Sequence, residues 1–432
     1  MSTRSVSKAW VWTRRRSTSA PGDRSRHLRP RDGTGQRTTA FELLFDLVYV
    51  FAVTQLSHLV INGQLRADAI ARAAFLLVVV WWAWIYTTWM VNWFDPGSAT
   101  VRAVLSGTAL ASLLMSAAIP TAFTDHAILF AGAYVLLQVG RNLSAALMLG
   151  RHEPLRPVYV RNTAWTAAAG CLWIAGAFVG SSGRIALWGP ALAVDLLAPL
   201  AGYRTPGLGR SRTEDWDVEG GHFADRFQAF LIIALGESIV VTGATASNRG
   251  LSPMVSLALG VAFLVTGALW WLYFDEVADH AQQNIAQSAN PGRLARDAYT
   301  YLHLPIVAGI IMVAVADDLL ISHPDRSLSG AGVVMTVGGP AVYLAGEALV
   351  RLRMISSFSP QRLLAVLALA LLGWLGHELS ALAMSGGVAA ILIALTVWDH
   401  ERFRPRSGPF AWKRLRPAGP TGAERKAGLR GP

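Results

Sequence analysis

The residues able to do chemistry in this chain are charged and polar side chains set inside long apolar runs. Arg37 to Val60, RTTAFELLFDLVYVFAVTQLSHLV, is long enough to cross a membrane yet holds Glu42, Asp46, Gln55 and His58. A spanning helix needs about 20 mostly apolar residues, and an ionised group at mid-bilayer costs about 2.5 kcal/mol or more. Such groups point into protein or water, where acids and imidazoles can exchange protons or bind small cations. A second run, HFADRFQAFLIIALGESIVVTGA, carries Arg226 and Glu237. Arg141 is the arginine that reads as truly intramembrane, and Asp195 lies between Pro190 and Pro199, where broken backbone and a carboxylate could hold a cation or proton. His303 precedes Pro305, and Glu347 stands four residues before Arg351, a spacing that allows a pair.

Helical geometry, about 100° per residue, decides which groups can meet. Glu42, Asp46 and Tyr49 share one stripe, while Gln55 and His58 share another nearly opposite, so protein is expected on both sides of this helix. His222, Arg226 and Glu237 fall within about 60° of one another, with Glu237 about 16 Å deeper than Arg226. Gly236 would permit close helix approach and Ser238 could donate a hydrogen bond. Arg141 could pair with Glu42, Asp46 or Glu237. Each group also has a plainer reading. Glu42 serves equally as a helix N-terminal acid, and His58, His303 and His377 as hydrogen-bonded helix glue. Trp81, Trp82, Trp84, Trp89, Trp93, Trp270 and Trp271 read as interfacial belt and helix packing, with a cation–π cage as the alternative. Asp275, Glu276, Asp279 and His280 read as solvated helix-end charges rather than a metal site.

The elements that position these groups follow from hydropathy. The 432 residues are 53% hydrophobic and 15% charged with mean hydropathy +0.38, values far from a soluble globule. The expected fold class is all-α, a polytopic transmembrane helical bundle of about 12 spans. The windows are 41–60, 69–91, 101–123, 127–149, 160–180, 184–203, 223–245, 253–274, 300–320, 331–350, 362–382 and 387–398. With both termini cytoplasmic, internal loops carry 13 basic residues inside against 5 outside.

Membrane orientation thus accounts for the net charge of +11 and argues against nucleic-acid binding. The Arg-, Ser-, Pro- and Gly-rich first 36 residues and the tail after Phe403 read as disordered, in contact with anionic lipid headgroups. The N-terminal tail has no apolar core of a signal peptide, so the first span is expected to serve as insertion signal. The single cysteine, Cys171, excludes an intramolecular disulfide and a thiolate cluster and reads as a structural apolar residue.

The chain also matches itself weakly. At a shift of 182 residues Phe41, Phe45 and Gln55 fall on Phe223, Phe227 and Glu237; Trp93-Phe94-Asp95 answers Tyr273-Phe274-Asp275, and Tyr134…Gln138…Arg141 answers Tyr343…Glu347…Arg351. The expected organisation is a basic cytoplasmic tail (1–37), a six-helix half (38–203), a cytoplasmic linker (204–221), a second six-helix half (222–400) and a basic tail (401–432). Both halves would start inside, making them parallel repeats. No Walker A loop, HExxH or zinc-ligand cysteine set occurs, so no cofactor, metal or catalytic residue is assigned.

FELLFDLVYVFAVTQLSHL (41–59), RFQAFLIIALGESIV (226–240) and YLHLPIVAGI (301–310) resemble the bacterial low-temperature-requirement A (LtrA) family over residues 38 to 400. The family pattern marks Glu42, Phe45, Asp46, Gln55, His58, Arg226, Gly236, Glu237, His303 and Pro305. The resemblance implies a multi-helix bacterial membrane protein and a name taken from a cold-growth phenotype, with no substrate attached. Arg37, Phe41 and Asp46 are also distantly similar to the Arg-x3-Phe-Ser-Asp signature of a two-repeat potassium channel family, but the Ser-Asp pair is missing here. The expected function is a secondary transporter of the cell membrane, moving a small ion or small-molecule substrate. Glu237, Asp46 and Asp195 would be coupling carboxylates, Arg141 a counter-charge or anion contact, and His303 a proton relay. The alternatives are an ion channel working as a homodimer, and an intramembrane enzyme acting on a lipid or hydrophobic substrate with Glu237, His58 or His303 in acid–base roles.

Overall fold

The computed structural model describes residues 27–31, 36–213, 216, 218–277, 285, 288 and 290–403. Among them the chain is helical, with three isolated β-bridges and no strand. The long helices are α1 (Ala40–Asn62), α2 (Ala67–Trp93), α3 (Ala99–Ala117), α4 (Ala127–Met148), α5 (Arg156–Ala177), α6 (Ser181–Leu197), α7 (Gly220–Arg249), α8 (Pro253–Asp275), α9 (Pro291–Ser322), α10 (Gly330–Ile355), α11 (Pro360–Leu375) and α12 (Ala381–Phe403). Nine of the described helices are long and apolar enough to cross a membrane. The expectation was about 12. Windows 160–180, 184–203 and 362–382 do form helices, namely α5, α6 and α11. They fall short because α5 carries Arg156, Arg161 and Asn162, while α6 and α11 have 17 and 16 residues. The chain is a multi-pass membrane protein.

Helix α2 occupies the centre, buried nearly all round from Val79 to Trp93. Such a helix is a core element, because a half-exposed one would alternate faces. It touches α1, α6, α7 and α9, and one continuous apolar core runs from α1 to α12. Outward faces stay apolar as well: Leu44, Leu136, Leu147, Val240 and Trp374 are exposed, as lipid-facing positions require. The tryptophans divide by burial. Trp81, Trp82 and Trp84 are buried packing, whereas Trp270 and Trp271 face outward.

The tightest pairing is α9 on α10. A Cβ on Gly309 would lie 2.7 Å from Gly339 O and 2.7 Å from Tyr343 N, so this approach requires glycine. The close approach read for Gly236 does not occur, since the space beside it is open. Three helices carry π-helical turns, Leu136–Gly140 within α4, Tyr273–Val277 running past the end of α8 and Ala295–Tyr301 within α9. Such turns free backbone carbonyls and re-aim side chains, and they gather at functional sites.

Part of the expected disordered N-terminal tail is ordered. Arg29 N donates to Trp93 O at 2.8 Å and Asp95 N donates to His27 O at 2.8 Å, so residues 27–31 lie along the end of α2. Residues 1–26, 32–35 and 404–432, and with them most of both tails, lie outside the described residues.

Candidate functional site

Helix α1 opens with a capping box: Glu42 N donates to Thr39 Oγ1, and Thr39 N donates to Glu42 Oε2 at 2.6 Å. The other oxygen of Glu42 meets Arg29 Nη2 at 2.7 Å and His222 Nε2 at 2.9 Å. Asn92 fixes the imidazole. Its Oδ1 accepts from Glu219 N at 3.0 Å, which turns its Nδ2 toward His222 Nδ1 at 3.2 Å. Nδ1 is therefore the acceptor, and His222 donates from Nε2 to Glu42. Glu42 thus realises its helix-terminus reading while locking the N-terminal segment, α1 and α7 together.

One turn deeper, Asp46 receives Arg226 Nη2 on Oδ1 at 2.6 Å and Nη1 on Oδ2 at 2.7 Å. Trp84 Nε1 donates to Oδ1 at 2.8 Å, and Arg226 Nη1 also reaches Glu42 O at 2.8 Å. An aromatic wall shields the pair. Trp84 lies 4.9 Å from Phe227 and 4.4 Å from Phe230 between ring centroids, and Phe227 lies 4.9 Å from Tyr299. A two-pronged, fully desolvated pair of this kind fixes helix register.

Arg141 meets none of the acids expected for it among the described residues. Its guanidinium donates to Ala83 O at 3.3 Å, to Thr87 Oγ1 at 3.0 Å and to Gln138 Oε1, and it stacks over Tyr86 at 5.1 Å. The physical reason is the π-helical turn of α4, which presents Gln138 beside Arg141 and aims both at α2. Asp195 belongs to the same layer, accepting from Tyr134 Oη at 2.9 Å and Trp173 Nε1 at 3.2 Å, while Gln138 donates to Tyr134 at 3.1 Å.

His303 is buried and doubly bonded. Its Nδ1 lies 2.9 Å from Ala298 O, a carbonyl that only accepts, so Nδ1 is the donor and Nε2 accepts from Tyr273 Oη at 2.9 Å. The line ends on backbone. Glu347 takes Arg362 as its two-pronged partner, at 2.9 and 3.1 Å, and Arg362 also holds Asp399 at 2.8 Å; Arg351 contributes to the electrostatic surroundings of Glu347. This triad joins α10, α11 and α12.

Two acids differ from all of these. Glu237 is buried and accepts from Thr54 Oγ1 on α1, and it meets no cation among the described residues. Asp317, on α9, is 4% exposed, and its Oδ2 has no hydrogen-bond partner among the described residues. Its neighbour Asp318 accepts from Thr245 of α7 at 3.0 Å. Of the other expected site residues, Gln55 is half-buried and His58 exposed, so the second stripe of α1 does not join the buried networks. Ser238 Oγ, next in sequence to Glu237, is buried with no partner among the described residues. Cys171 is exposed. Asp275 lies 3.6 Å from His400, Asp279 and His280 lie outside the described residues, and no metal-binding group occurs among those described.

Residues 37–397 match the family described as "Bacterial low temperature requirement A protein (LtrA)". The chain belongs to the LtrA family. An "Uncharacterized protein RA0937" of Rhizobium meliloti (strain 1021) is 34% identical over 322 residues, which cover 74% of this chain and 78% of that relative. No solved structure matches the chain. The LtrA match spans the elements that carry Asp46, Arg141, Arg226 and Glu237, and begins at Arg37, beyond Arg29.

Arg29, Asn92 and Asp317 escaped the sequence reading, and Trp84, read as belt or packing, was missed as the donor to Asp46. Arg29 sits in a segment with tail composition, and Asn92 and Trp84 sit in a tryptophan run. For Asp317 a signal existed: it lies about four helical turns beyond His303 and on nearly the same face.

Proposed function

We propose that this protein is a secondary transporter of the bacterial cytoplasmic membrane. It has two parallel six-helix halves (38–203 and 222–400), twelve spans and both termini cytoplasmic, and it carries a small solute along a path between the halves. The observation that supports this reading is the pairing state of the buried acids. Glu42, Asp46 and Glu347 each have an arginine, whereas Glu237 and Asp317 have none among the described residues. A buried carboxylate without a counter-cation carries a high cost in ionised form, so it takes up a proton or a cation. In this reading a coupling ion uses Glu237 with Thr54 of α1, and Asp317 and Asp318 of α9, the last held by Thr245 of α7. Asp195, held by two neutral donors, is a further coupling carboxylate in this reading, and Arg141 is a fixed positive charge facing α2.

The test is flux in proteoliposomes of the purified chain under imposed H⁺, Na⁺ and K⁺ gradients, followed with pH- and potential-sensitive dyes. Gradient-driven flux in wild type, lost in folded Glu237→Gln and Asp317→Asn variants, is the expected result. Flux that survives the double substitution overturns the coupling role. Current that ignores the proton gradient would instead identify a channel formed by the same halves. Silence under every gradient would favour an enzyme acting on a hydrophobic substrate.

A further inference from the structure

A cavity of about 40 Å³ lies between α2, α4, α5, α9 and the segment that joins α6 to α7. Aromatic rings close it: between centroids, Trp93 of α2 lies 6.0 Å from Tyr159 of α5, and Trp89 lies 5.3 Å from Trp216 of the joining segment. A buried water needs about 10–15 Å³ of such volume, so the cavity has room for about three waters and is too small for an organic ligand.

Five buried polar atoms belong to residues of this wall and have no partner among the described residues: Trp82 Nε1, Asn142 Nδ2, Tyr159 Oη, Asn162 Oδ1 and Trp216 Nε1. Each of those residues is more than nine-tenths buried. Their neighbours on the same wall are satisfied by protein, since Tyr86 Oη meets Tyr203 Oη at 2.9 Å and Trp89 Nε1 donates to Thr300 Oγ1 at 3.1 Å. Buried polar groups are nearly always paired, by protein or by ordered water. The five differ in what they need. The two indole N–H groups and Asn142 Nδ2 donate, Asn162 Oδ1 accepts, and Tyr159 Oη does either. A group that only donates or only accepts leaves part of this set unpaired, whereas water does both. A buried water makes about three hydrogen bonds. Three waters linked in a row keep about five for the wall, as many as there are atoms to serve.

We infer that this cavity is a built hydration site, a cluster of about three ordered waters that bridges α2, α4, α5 and the segment joining α6 to α7. The net charge around the cavity does not enter the argument, because water pairs with donors and acceptors alike. The site also gives Asn162 a purpose. With Arg156 and Arg161 this residue makes α5 too polar to count as a membrane-crossing helix, and here its carbonyl is the acceptor that the waters need. The wall draws α2, α4 and α5 from the first proposed half and α9 from the second, so the waters lie on the boundary between the halves. Under the transport reading, and only under it, they form a hydrated stretch of the path along which a proton or small ion is carried.

The experiment is X-ray radiolytic footprinting of the full-length protein in detergent, read by mass spectrometry. The beam splits water into hydroxyl radicals that react within a few ångströms, so a buried ring is oxidised quickly only where water lies against it. Trp82 and Tyr159 are 1% and 2% exposed; Trp84 and Trp173, 0% and 1% exposed, are the dry controls, because their indole N–H groups are spent on Asp46 and Asp195. The expected result is oxidation of Trp82 and Tyr159 at least fivefold faster than of the controls. In the paired substitution Tyr159→Phe with Asn162→Leu, which removes two of the five wall atoms, oxidation of Trp82 should fall at least threefold. Rates at Trp82 and Tyr159 equal to the controls would overturn the site, and this wild-type comparison stands even where the variant does not fold. A Trp82 rate unchanged in a folded variant would overturn it too, as would an organic molecule retained by the wild-type protein and lost from the variant in native mass spectrometry. Fast labelling as expected, together with no flux in proteoliposomes, supports the hydration site and removes the transport reading instead.

Discussion

Arg226 and Asp46, 180 residues apart, face each other with two hydrogen bonds of 2.6 and 2.7 Å, and neither side chain has any exposure. The pair joins α1 to α7, and Trp84 of the central helix completes the coordination of the carboxylate. Every carboxylate oxygen and both terminal guanidinium nitrogens are thereby engaged.

This geometry makes Asp46 a holding residue. Asp46→Asn leaves the Arg226 charge buried and uncompensated, which costs about 3–5 kcal/mol. A large drop in the thermal unfolding midpoint in detergent is expected, and Arg226→Gln should behave alike. Replacing both together, Asp46→Leu with Arg226→Met, removes the stranded charge and should recover most of the loss, a non-additivity that a double-mutant cycle reads directly. Full stability in Asp46→Asn would contradict the assignment.

Asp46 and Arg226 were each legible as buried charges, because an acid and a base in apolar runs must find something. Their mutual pairing was not. Helical periodicity relates residues on one helix, and nothing local in FELLFDLV specifies RFQAF as its partner. Arg141 shows the same limit: its position inside a span was readable, but a π-helical turn reoriented it toward Gln138 and Thr87, away from the acids. Arg29 was hidden for a different reason, since five residues of tail-like composition gain their structure from backbone bonds to the end of α2. The windows placed all the long helices, whereas the membrane-crossing length of α5, α6 and α11 depended on charges and termini that a hydropathy window smooths over.

Arg362 carries a second holding role. It is 1% exposed and neutralises both Glu347 and Asp399. Arg362→Met therefore leaves two facing carboxylates, with a loss of about 3–5 kcal/mol, whereas Arg362→Lys keeps the charge but cannot grip both acids with a planar fork and should lose part of that. Protease accessibility of the α10–α12 region, followed with thermal midpoints, should rank wild type, Lys and Met in that order. Equal resistance in all three would show that the triad does not hold these helices.

Two glycines in the motif regions make opposite predictions. At Gly309 the obstructing atoms are backbone, Gly339 O and Tyr343 N, which cannot rotate away. Gly309→Ala must separate α9 from α10 and should destabilise by about 1–3 kcal/mol. Beside Gly236 there is open space, so Gly236→Ala should be stabilising by about 0.5–1 kcal/mol through helix propensity. Thermal midpoints of the two variants on opposite sides of wild type are the expected outcome; a shared direction would mean that the α9–α10 contact is looser than its geometry.

Asp317 allows function and stability to be separated, because a holding residue and a working residue respond in opposite senses. Asp46 is surrounded by donors, so neutralising it removes compensation; Asp317 has an oxygen without a partner among the described residues, so neutralising it removes an uncompensated cost. Asp317→Leu should therefore raise the thermal midpoint, by about 1–3 kcal/mol in stability, while an ion-coupled flux falls in both Asp317→Leu and Asp317→Asn. The same logic applied to Glu237, whose single partner among the described residues is the Thr54 hydroxyl, gives a stability close to wild type for Glu237→Gln, since a glutamine carbonyl accepts from Thr54 as a carboxylate does. A fall in stability at Asp317 would place an unseen cation or donor against that carboxylate and would move the uncompensated acid of this bundle to Glu237 alone.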